Sequence, residues 1–152
     1  MSKREKLIRK NLFKLGLKQI TSWAVNKDYH VEFCYSVQDE FRPSDNMITI
    51  NKRQGLEKQL YSLLHECGHL LLQQSEDAYA QKYPASAKMA GYSRNSRLQR
   101  SAKYKVDVIS EEIDAWRRGK ALANRLGVYV DEEAYHSLMA LCVHSYMMSL
   151  TR

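Results

Sequence analysis

The spacing of apolar positions first predicts two helices in the N-terminal half of the chain. Residues 3–24 carry apolar side chains, such as Phe13 and Ile20, at the intervals of one helix face. A denser apolar surface runs over residues 56–74, and it is broad enough for a helix that is buried on several sides. Both segments are therefore predicted to be helical.

Two further helices are predicted in the C-terminal half. One runs over about residues 108–126 and is followed by Gly127, and glycine is the preferred residue just after the C-terminus of a helix. Asp131 can then accept a hydrogen bond from the first turn of a last helix. Glycine and aspartate therefore mark the end of one predicted helix and the start of the next.

A different periodicity appears between the first two helices. Residues 29–36 alternate apolar and polar side chains, which predicts a β-strand. The stretch FRPSDN, residues 41–46, is rich in turn formers, and residues 47–50 then predict a second strand. The two strands could form a hairpin or pair within a small sheet. The expected fold class is therefore α+β, mostly helical with a small β-sheet.

Residues 75–105 form a polar and basic insertion that is rich in tyrosine, serine, arginine and lysine. Pro84 and Gly91 interrupt it. It is either a long loop or a series of short helices over the surface. A structureless loop of that length is uncommon in a compact domain, and loops of this size often act as lids or binding segments.

Composition and cysteine content restrict the class of protein. The 152 residues are expected to form one globular domain, since the chain is long enough to bury a core. No apolar run approaches the roughly 20 residues that span a bilayer, and the basic N-terminus lacks the apolar region of a secretory signal. The three cysteines are scattered and odd in number. We therefore expect a reducing, cytoplasmic setting and no disulfide framework.

The net charge of +7 favours anionic partners. Seven basic side chains lie within the predicted N-terminal helix: Lys3, Arg4, Lys6, Arg9, Lys10, Lys14 and Lys18. We interpret them first as a solvated helix face. Contact with nucleic acid or a membrane surface is the alternative.

The stretch SLLHECGHLLL, residues 62–72, places three ionisable side chains in an apolar helix. Residues four apart share a helix face, so His65 and His69 can bind one zinc ion through their imidazole nitrogens. Glu66 would lie beside the metal, where it can accept a proton from a metal-activated water. This is the H-E-x-x-H arrangement of metallopeptidases. Gly68 costs helix stability but admits close approach of another backbone.

A catalytic zinc site usually needs a third protein ligand. The stretch ISEEIDAW, residues 109–116, offers three acidic side chains on a later predicted helix. Glu112 shares a face with apolar neighbours and is the first choice, while Glu111 is the second. Asp114 is shorter and could orient a ligand histidine from outside the metal shell. All three could instead be exposed acids favoured by the helix dipole.

The strand MITINK followed by LLHECGHLLL resembles the ImmA/IrrE-type peptidases, small gluzincins of bacteria, phages and mobile elements. The downstream EIDAW, residues 112–116, is similar to that family's glutamate-containing helix motif. The resemblance covers roughly residues 47–126. It implies a zincin-like fold with the H-E-x-x-H motif on its active-site helix. It also implies that His65, His69 and Glu112 bind Zn²⁺ and that Glu66 is the general base.

The expected function is zinc-dependent hydrolysis of peptide bonds in a protein or peptide substrate. An extended substrate could pair with the edge of the strand over residues 29–36. Such a reaction also needs a group that stabilises the tetrahedral oxyanion. The candidates are Tyr135, His136, His144 and Tyr146 on the last helix, with Tyr92 and Tyr104 in the polar insertion. The sequence does not choose among them.

The alternative function is a non-catalytic, zinc-containing protein that binds nucleic acid or regulates another protein. Five basic side chains support it: Arg94, Arg97, Arg100, Lys103 and Lys105. Tyr92 and Tyr104 lie among them, and aromatic side chains beside cations suit single-stranded nucleic acid. A peptidase that is recruited or triggered by nucleic acid would combine both functions.

Overall fold

A computed structural model describes residues 1–91 and 96–151 and confirms a mostly helical α+β fold. In the described ranges, the helices are α1 (Lys3–Asn26), α2 (Leu56–Gln73), α3 (Glu76–Lys82), α4 (Pro84–Gly91), α5 (Ser96–Gln99), α6 (Ala102–Leu126) and α7 (Glu132–Leu150). The strands are β1 (His30–Cys34), β2 (Glu40–Arg42) and β3 (Met47–Asn51). Over these residues, no helix is both long and apolar enough to cross a membrane.

The three strands form one sheet in the order β1-β3-β2. β1 runs parallel to β3, with His30 opposite Met47, so the two predicted strands pair within a small sheet and do not form a hairpin. β2 was not predicted, and it pairs antiparallel with β3. The predicted turn joins β2 to β3 and ends at Asn46, which has a left-handed conformation (φ 49°) that asparagine tolerates.

Helix α2 lies at the centre of the core. It packs against α1 and β3, and its apolar side chains, including Leu60, Leu63 and Leu64, are fully buried. Its broad apolar surface therefore serves several neighbours at once, as the sequence predicted. Ile20 of α1 and Ile48 of β3 belong to the same cluster.

Helices α2 and α6 approach so closely that two glycines are required. A Cβ atom on Gly68 would lie 1.9 Å from the carbonyl oxygen of Ala115. One on Gly119 would lie 2.3 Å from the carbonyl oxygen of Leu64. The predicted close approach at Gly68 is confirmed. It brings the H-E-x-x-H turn of α2 against the acidic turn of α6.

The polar insertion consists of short helices where it is described. Ser75 caps α3 by accepting a hydrogen bond from the amide of Ala78, and Ser101 caps α6 in the same way. The alternative of a long loop was therefore wrong for these residues. Helix α6 also begins at Ala102, earlier than the predicted start near residue 108. The prediction missed these first turns because they are largely polar and lack an apolar stripe.

The predicted boundaries at the end of α6 and the start of α7 are confirmed. Gly127 has a φ of 68°, and its backbone amide bonds to carbonyls of the last turn of α6. The Asp131 carboxylate accepts from the amide of Ala134. Both residues therefore satisfy backbone groups that a helix end leaves unpaired.

One basic residue of α1 does not belong to a solvated face. The Arg9 guanidinium donates to Glu57 at 2.7 Å and to Asp131 at 3.0 Å, and its side chain is 27% exposed. It therefore links α1 to the first turn of α2 and the cap of α7. The sequence could not show this, because the partners are 48 and 122 residues away.

Candidate metal centre

The two histidines of α2 meet on one face of the helix. The Nε2 atoms of His65 and His69 are 3.1 Å apart, and both side chains are nearly buried, with 13% and 12% exposed. Trp116 stacks on His65 at a centroid distance of 4.4 Å, and the Phe41 ring is parallel to His69. Trp116 of α6 therefore packs on one imidazole, and Phe41 of β2 lies near the other.

Glu112 of α6 completes the cluster. One carboxylate oxygen lies 3.0 Å from Nε2 of His65, and the other lies 3.1 Å from Nε2 of His69. Burial alone would raise the pKa of Glu112, but its hydrogen bonds with His65 and His69 outweigh burial and lower the pKa to about 2. The carboxylate is therefore ionised at neutral pH, which is the form that binds a metal.

This donor set fits a tetrahedral metal ion. Ligand atoms that lie about 2.0–2.1 Å from a zinc ion are about 3.3 Å apart, close to the distances within the cluster. Two imidazole nitrogens and one carboxylate are also a set that catalytic zinc uses while a fourth position stays open. Within the described part of the chain, His65, His69 and Glu112 are the group whose ligand atoms converge to within 4.8 Å.

The electrostatics of the cluster connect metal binding to protonation. Burial alone would lower the pKa of His69, but hydrogen bonds with Glu111 and Glu112 raise it above its ordinary value. The same balance raises the pKa of His65, whose partners are Glu112 and Glu66. A metal ion that binds here therefore takes the place of a proton.

Glu66 lies next to the cluster on α2. Its side chain is 7% exposed, and one carboxylate oxygen lies 3.4 Å from Nδ1 of His65. It lines the same cleft as the two histidines and is not one of the converging ligand atoms. Glu66 therefore lies beside the candidate ligands without being one of them.

A comparison with known families identifies the segment that carries the motif. Residues 17–90 match the family model of the IrrE N-terminal-like domain of peptidase family M78. This match supports an ImmA/IrrE-like metallopeptidase domain that includes the H-E-x-x-H motif. The matched segment includes both histidines and Glu66 but ends before Glu112. No curated protein and no solved structure matches the chain.

The other two acidic residues at this turn of α6 have distinct partners. Glu111 lies 3.3 Å from Nδ1 of His69 and accepts a hydrogen bond from the Gln73 amide at 3.2 Å. A carboxylate can only accept here, so the contact favours a proton on Nδ1, and Nε2 is then the nitrogen that would face a bound metal. Asp114 instead accepts from Tyr83 at 2.6 Å and pairs with Lys82. The predicted contact of Asp114 with a histidine was therefore wrong, because Asp114 faces α3.

The candidate metal centre opens into a cleft of about 410 Å³. Its walls come from β2, α2, α6 and α7. Five carboxylates line it, and they belong to Asp39, Glu40, Glu66, Glu111 and Glu112. No lysine or arginine is among these lining residues, although the whole chain has a net charge of +7. The lysines and arginines of the described ranges therefore lie outside the cleft.

The oxyanion candidates separate by position. Tyr146 lines the cleft, whereas the buried hydroxyl of Tyr135 donates to the carbonyl of Trp116. His136 and His144 are exposed and do not line the cleft. The half-buried Tyr104 does not line it either, and Tyr92 lies outside the described residues. Of the described candidates, Tyr146 is therefore the one that can face a substrate.

The nucleic-acid candidates do not form one continuous helix face. Arg97 is in α5, Lys103 and Lys105 are in the first turn of α6, and Arg100 lies between the two helices. Arg97, Arg100 and Lys103 are exposed and Lys105 is half-buried. Arg94 lies outside the described residues. None of the described four lines the cleft, so a role for them in binding nucleic acid stays a prediction.

Proposed function

We propose that the chain is a zinc-dependent peptidase of the gluzincin type. The observation that supports this most strongly is the convergence of His65, His69 and Glu112 beside Glu66 at the base of an open cleft. A cluster of this composition that served only to stabilise the fold would not have to line an open cleft, whereas a catalytic site must admit a substrate. The proposed ligands are the three converging residues, and the proposed general base is Glu66.

Zinc is the metal that suits this donor set best. Imidazole nitrogens favour zinc and its transition-metal neighbours over magnesium or calcium, and the three ligands leave one position open. When bound, zinc would activate a water molecule and polarise the carbonyl of the scissile peptide bond. The ionised Glu112 carboxylate and the two imidazoles would supply the protein side of that shell.

Glu66 is proposed to move the proton. The carboxylate would take a proton from the attacking water and pass it to the leaving amine of the cleaved bond. Its position supports this role, because the side chain lines the cleft beside His65 but is not a converging ligand atom. Tyr146 is proposed to donate a hydrogen bond to the oxyanion, since its side chain lines the same cleft from α7.

We propose that the substrate backbone lies along β2, not along β1. Asp39, Glu40 and Phe41 line the cleft, whereas no residue of β1 does. β2 pairs with β3 on one side in the sheet order β1-β3-β2, so its outer edge can accept an extended chain. A substrate peptide with N-methylated amides beside the cleaved bond should be cleaved more slowly. An unchanged rate would argue against pairing at this edge.

The test of this function compares the wild type with Glu66→Gln. Zinc-loaded wild-type protein is incubated with a proteome-derived peptide library, and new termini are identified by mass spectrometry. The expected result is that Glu66→Gln keeps one zinc per chain and loses cleavage, while Glu112→Ala loses the zinc. Cleavage that persists unchanged in Glu66→Gln, or a zinc-loaded wild type that cleaves no peptide, would contradict the proposal.

A further inference from the structure

The hydroxyl of Tyr79 reaches the metal centre from the polar insertion. Tyr79 lies in α3, and its hydroxyl donates to one oxygen of Glu111 at 2.8 Å. The other oxygen of that carboxylate faces Nδ1 of His69 at 3.3 Å and the amide of Gln73 at 3.2 Å. Both oxygens of Glu111 are therefore engaged, and a chain of contacts runs from α3 to a candidate zinc ligand.

The hydroxyl of Tyr79 is the donor in its hydrogen bond with Glu111. Burial first, and then the charge of Glu111, raise the pKa of Tyr79 above its ordinary value. The hydroxyl stays protonated at neutral pH, so it is the donor and the carboxylate is the acceptor. This bond fills a lone pair of Glu111 that would otherwise be free to bind a cation.

Two adjacent glutamates lie close enough to the histidine pair to be considered as metal ligands. Glu112 contacts the Nε2 side of the histidine pair, whereas Glu111 contacts the Nδ1 side of His69. A Glu111 side chain that was free to rotate would lose the bond that orients His69. We propose that Tyr79 is a positioning residue that holds Glu111 as the outer partner of His69 and leaves the metal to Glu112. This inference rests on the proposed metal centre.

Tyr83, the residue that caps the C-terminus of α3, provides a matched control. Its hydroxyl donates to Asp114 of α6 at 2.6 Å, so it too links α3 to a carboxylate of α6. Asp114 also pairs with Lys82 at 3.0 Å and contacts neither histidine. Loss of the Tyr83 hydroxyl therefore removes a similar contact between the helices without disturbing the contacts of His69.

The experiment compares Tyr79→Phe with Tyr83→Phe in the full chain. Zinc affinity is measured by competition with a chromophoric chelator, and the unfolding midpoint of each metal-free protein checks the fold. Outer partners of metal ligands are typically worth about 10- to 100-fold in metal affinity. Because Tyr79 acts through Glu111, we expect zinc affinity about 10-fold weaker in Tyr79→Phe and unchanged within about twofold in Tyr83→Phe.

A double-mutant cycle separates positioning from general stability. In a Glu111→Gln background, which already weakens zinc binding, Tyr79→Phe should add no further loss. The carboxylates that accept from the two tyrosines provide a second matched pair of variants, in which both tyrosines are kept. Glu111→Gln should weaken zinc binding, whereas Asp114→Asn should not. If Tyr79→Phe does not fold, this pair still tests the step that the inference needs, namely that Glu111 is the outer partner of His69, and equal zinc affinities in the two carboxylate variants would contradict the inference.

Three outcomes would overturn the inference. They are an equal loss of zinc affinity in both tyrosine variants, no loss in either, or a full additional loss from Tyr79→Phe in the Glu111→Gln background. A wild-type chain that binds no zinc would contradict the metal centre itself, and the role of Tyr79 with it. The zinc affinity of the wild type therefore distinguishes failure of the inference from failure of the proposed function.

Discussion

At the scale of single residues, neighbouring carboxylates differ because a helix turns them in different directions. Glu112 projects into the buried stripe and meets both Nε2 atoms, whereas Glu111 projects toward α3 and meets the Nδ1 side of His69. Asp114 faces Tyr83. The same acidic run therefore supplies a candidate ligand in Glu112, an outer partner of His69 in Glu111 and a structural contact in Asp114.

The sequence alone could rank these acids only in part. The apolar neighbours Ile109 and Trp116 marked the face on which Glu112 lies, and the burial of Glu112 agrees with that choice. The outer partner depended on where α3 packs, and that packing is a contact between residues 32 positions apart. Local spacing carries no information about such a contact. The sequence therefore could not identify Glu111, rather than Asp114, as the outer partner of His69, and it could not identify Tyr79 at all.

A substitution of Tyr146 tests the oxyanion role proposed for it. Burial first, and the cleft carboxylates next, raise the pKa of Tyr146 to about 12, so its hydroxyl is a donor at neutral pH. Tyr146→Phe should lower kcat by roughly 10²- to 10³-fold and leave KM nearly unchanged, because the bond forms only in the transition state. Steady-state kinetics on a cleaved peptide measure both constants. An unchanged kcat would exclude the role.

At the scale of elements, the crossing of α2 and α6 builds the site. Helical periodicity and caps predicted both helices, and Gly68 marked a close approach. The partner at that crossing was not predictable, because it requires knowing that Gly119 meets the carbonyl of Leu64. The sheet shows the same limit. β2 has only three residues, too few for a periodicity, and the parallel pairing of β1 with β3 is not local.

Replacement of Gly68 by alanine tests this crossing. The new Cβ would lie 1.9 Å from the carbonyl oxygen of Ala115, so the two helices must move apart. Alanine favours a helix by about 1 kcal/mol over glycine, but overpacking costs typically about 1–3 kcal/mol. We expect a net loss in the free energy of unfolding, measured in urea, together with weaker zinc binding.

Gly55→Ala is the control for that substitution. A Cβ on Gly55 meets no atom within 4 Å, so the change should leave zinc affinity unaltered. Equal zinc affinities and equal stabilities for the two alanine variants would show that α2 and α6 do not need this close approach.

At the scale of the whole molecule, charge is segregated. The cleft is acidic, whereas the basic side chains in the part of the chain that the structure describes lie outside it. One of those basic residues, Arg9, ties α1 to the first turn of α2 through Glu57 and to the cap of α7 through Asp131. The net charge predicted an anionic partner but could not show which basic side chains are already used inside the fold.

The Arg9 contacts predict a dependence of stability on pH. Hydrogen bonds from the Ala134 amide first, and from Arg9 next, lower the pKa of Asp131 below its ordinary value. A carboxylate with a lowered folded-state pKa stabilises the fold above its unfolded pKa, about 3.9, and this contribution is lost as the pH falls through the folded-state value. The free energy of unfolding should therefore fall below about pH 4.

Arg9→Met should reduce that acid sensitivity and lower the stability at pH 7. Loss of the ion pair between Arg9 and Glu57 should cost about 1 kcal/mol at most, since both side chains are partly exposed. Urea unfolding at pH 7 and pH 3 measures both effects, with the exposed Lys10→Met as the control. Identical pH profiles for wild type and Arg9→Met would show that Arg9 does not set the Asp131 titration.

The central claim concerns one metal ion held by two helices. The most direct measurement is a crystal structure of the zinc-loaded chain with anomalous scattering recorded at the zinc edge. The account predicts a single strong peak, about 2.0–2.2 Å from Nε2 of His65, Nε2 of His69 and a carboxylate oxygen of Glu112. A zinc ion bound elsewhere, or a zinc shell that lacks any of these three residues, would contradict it.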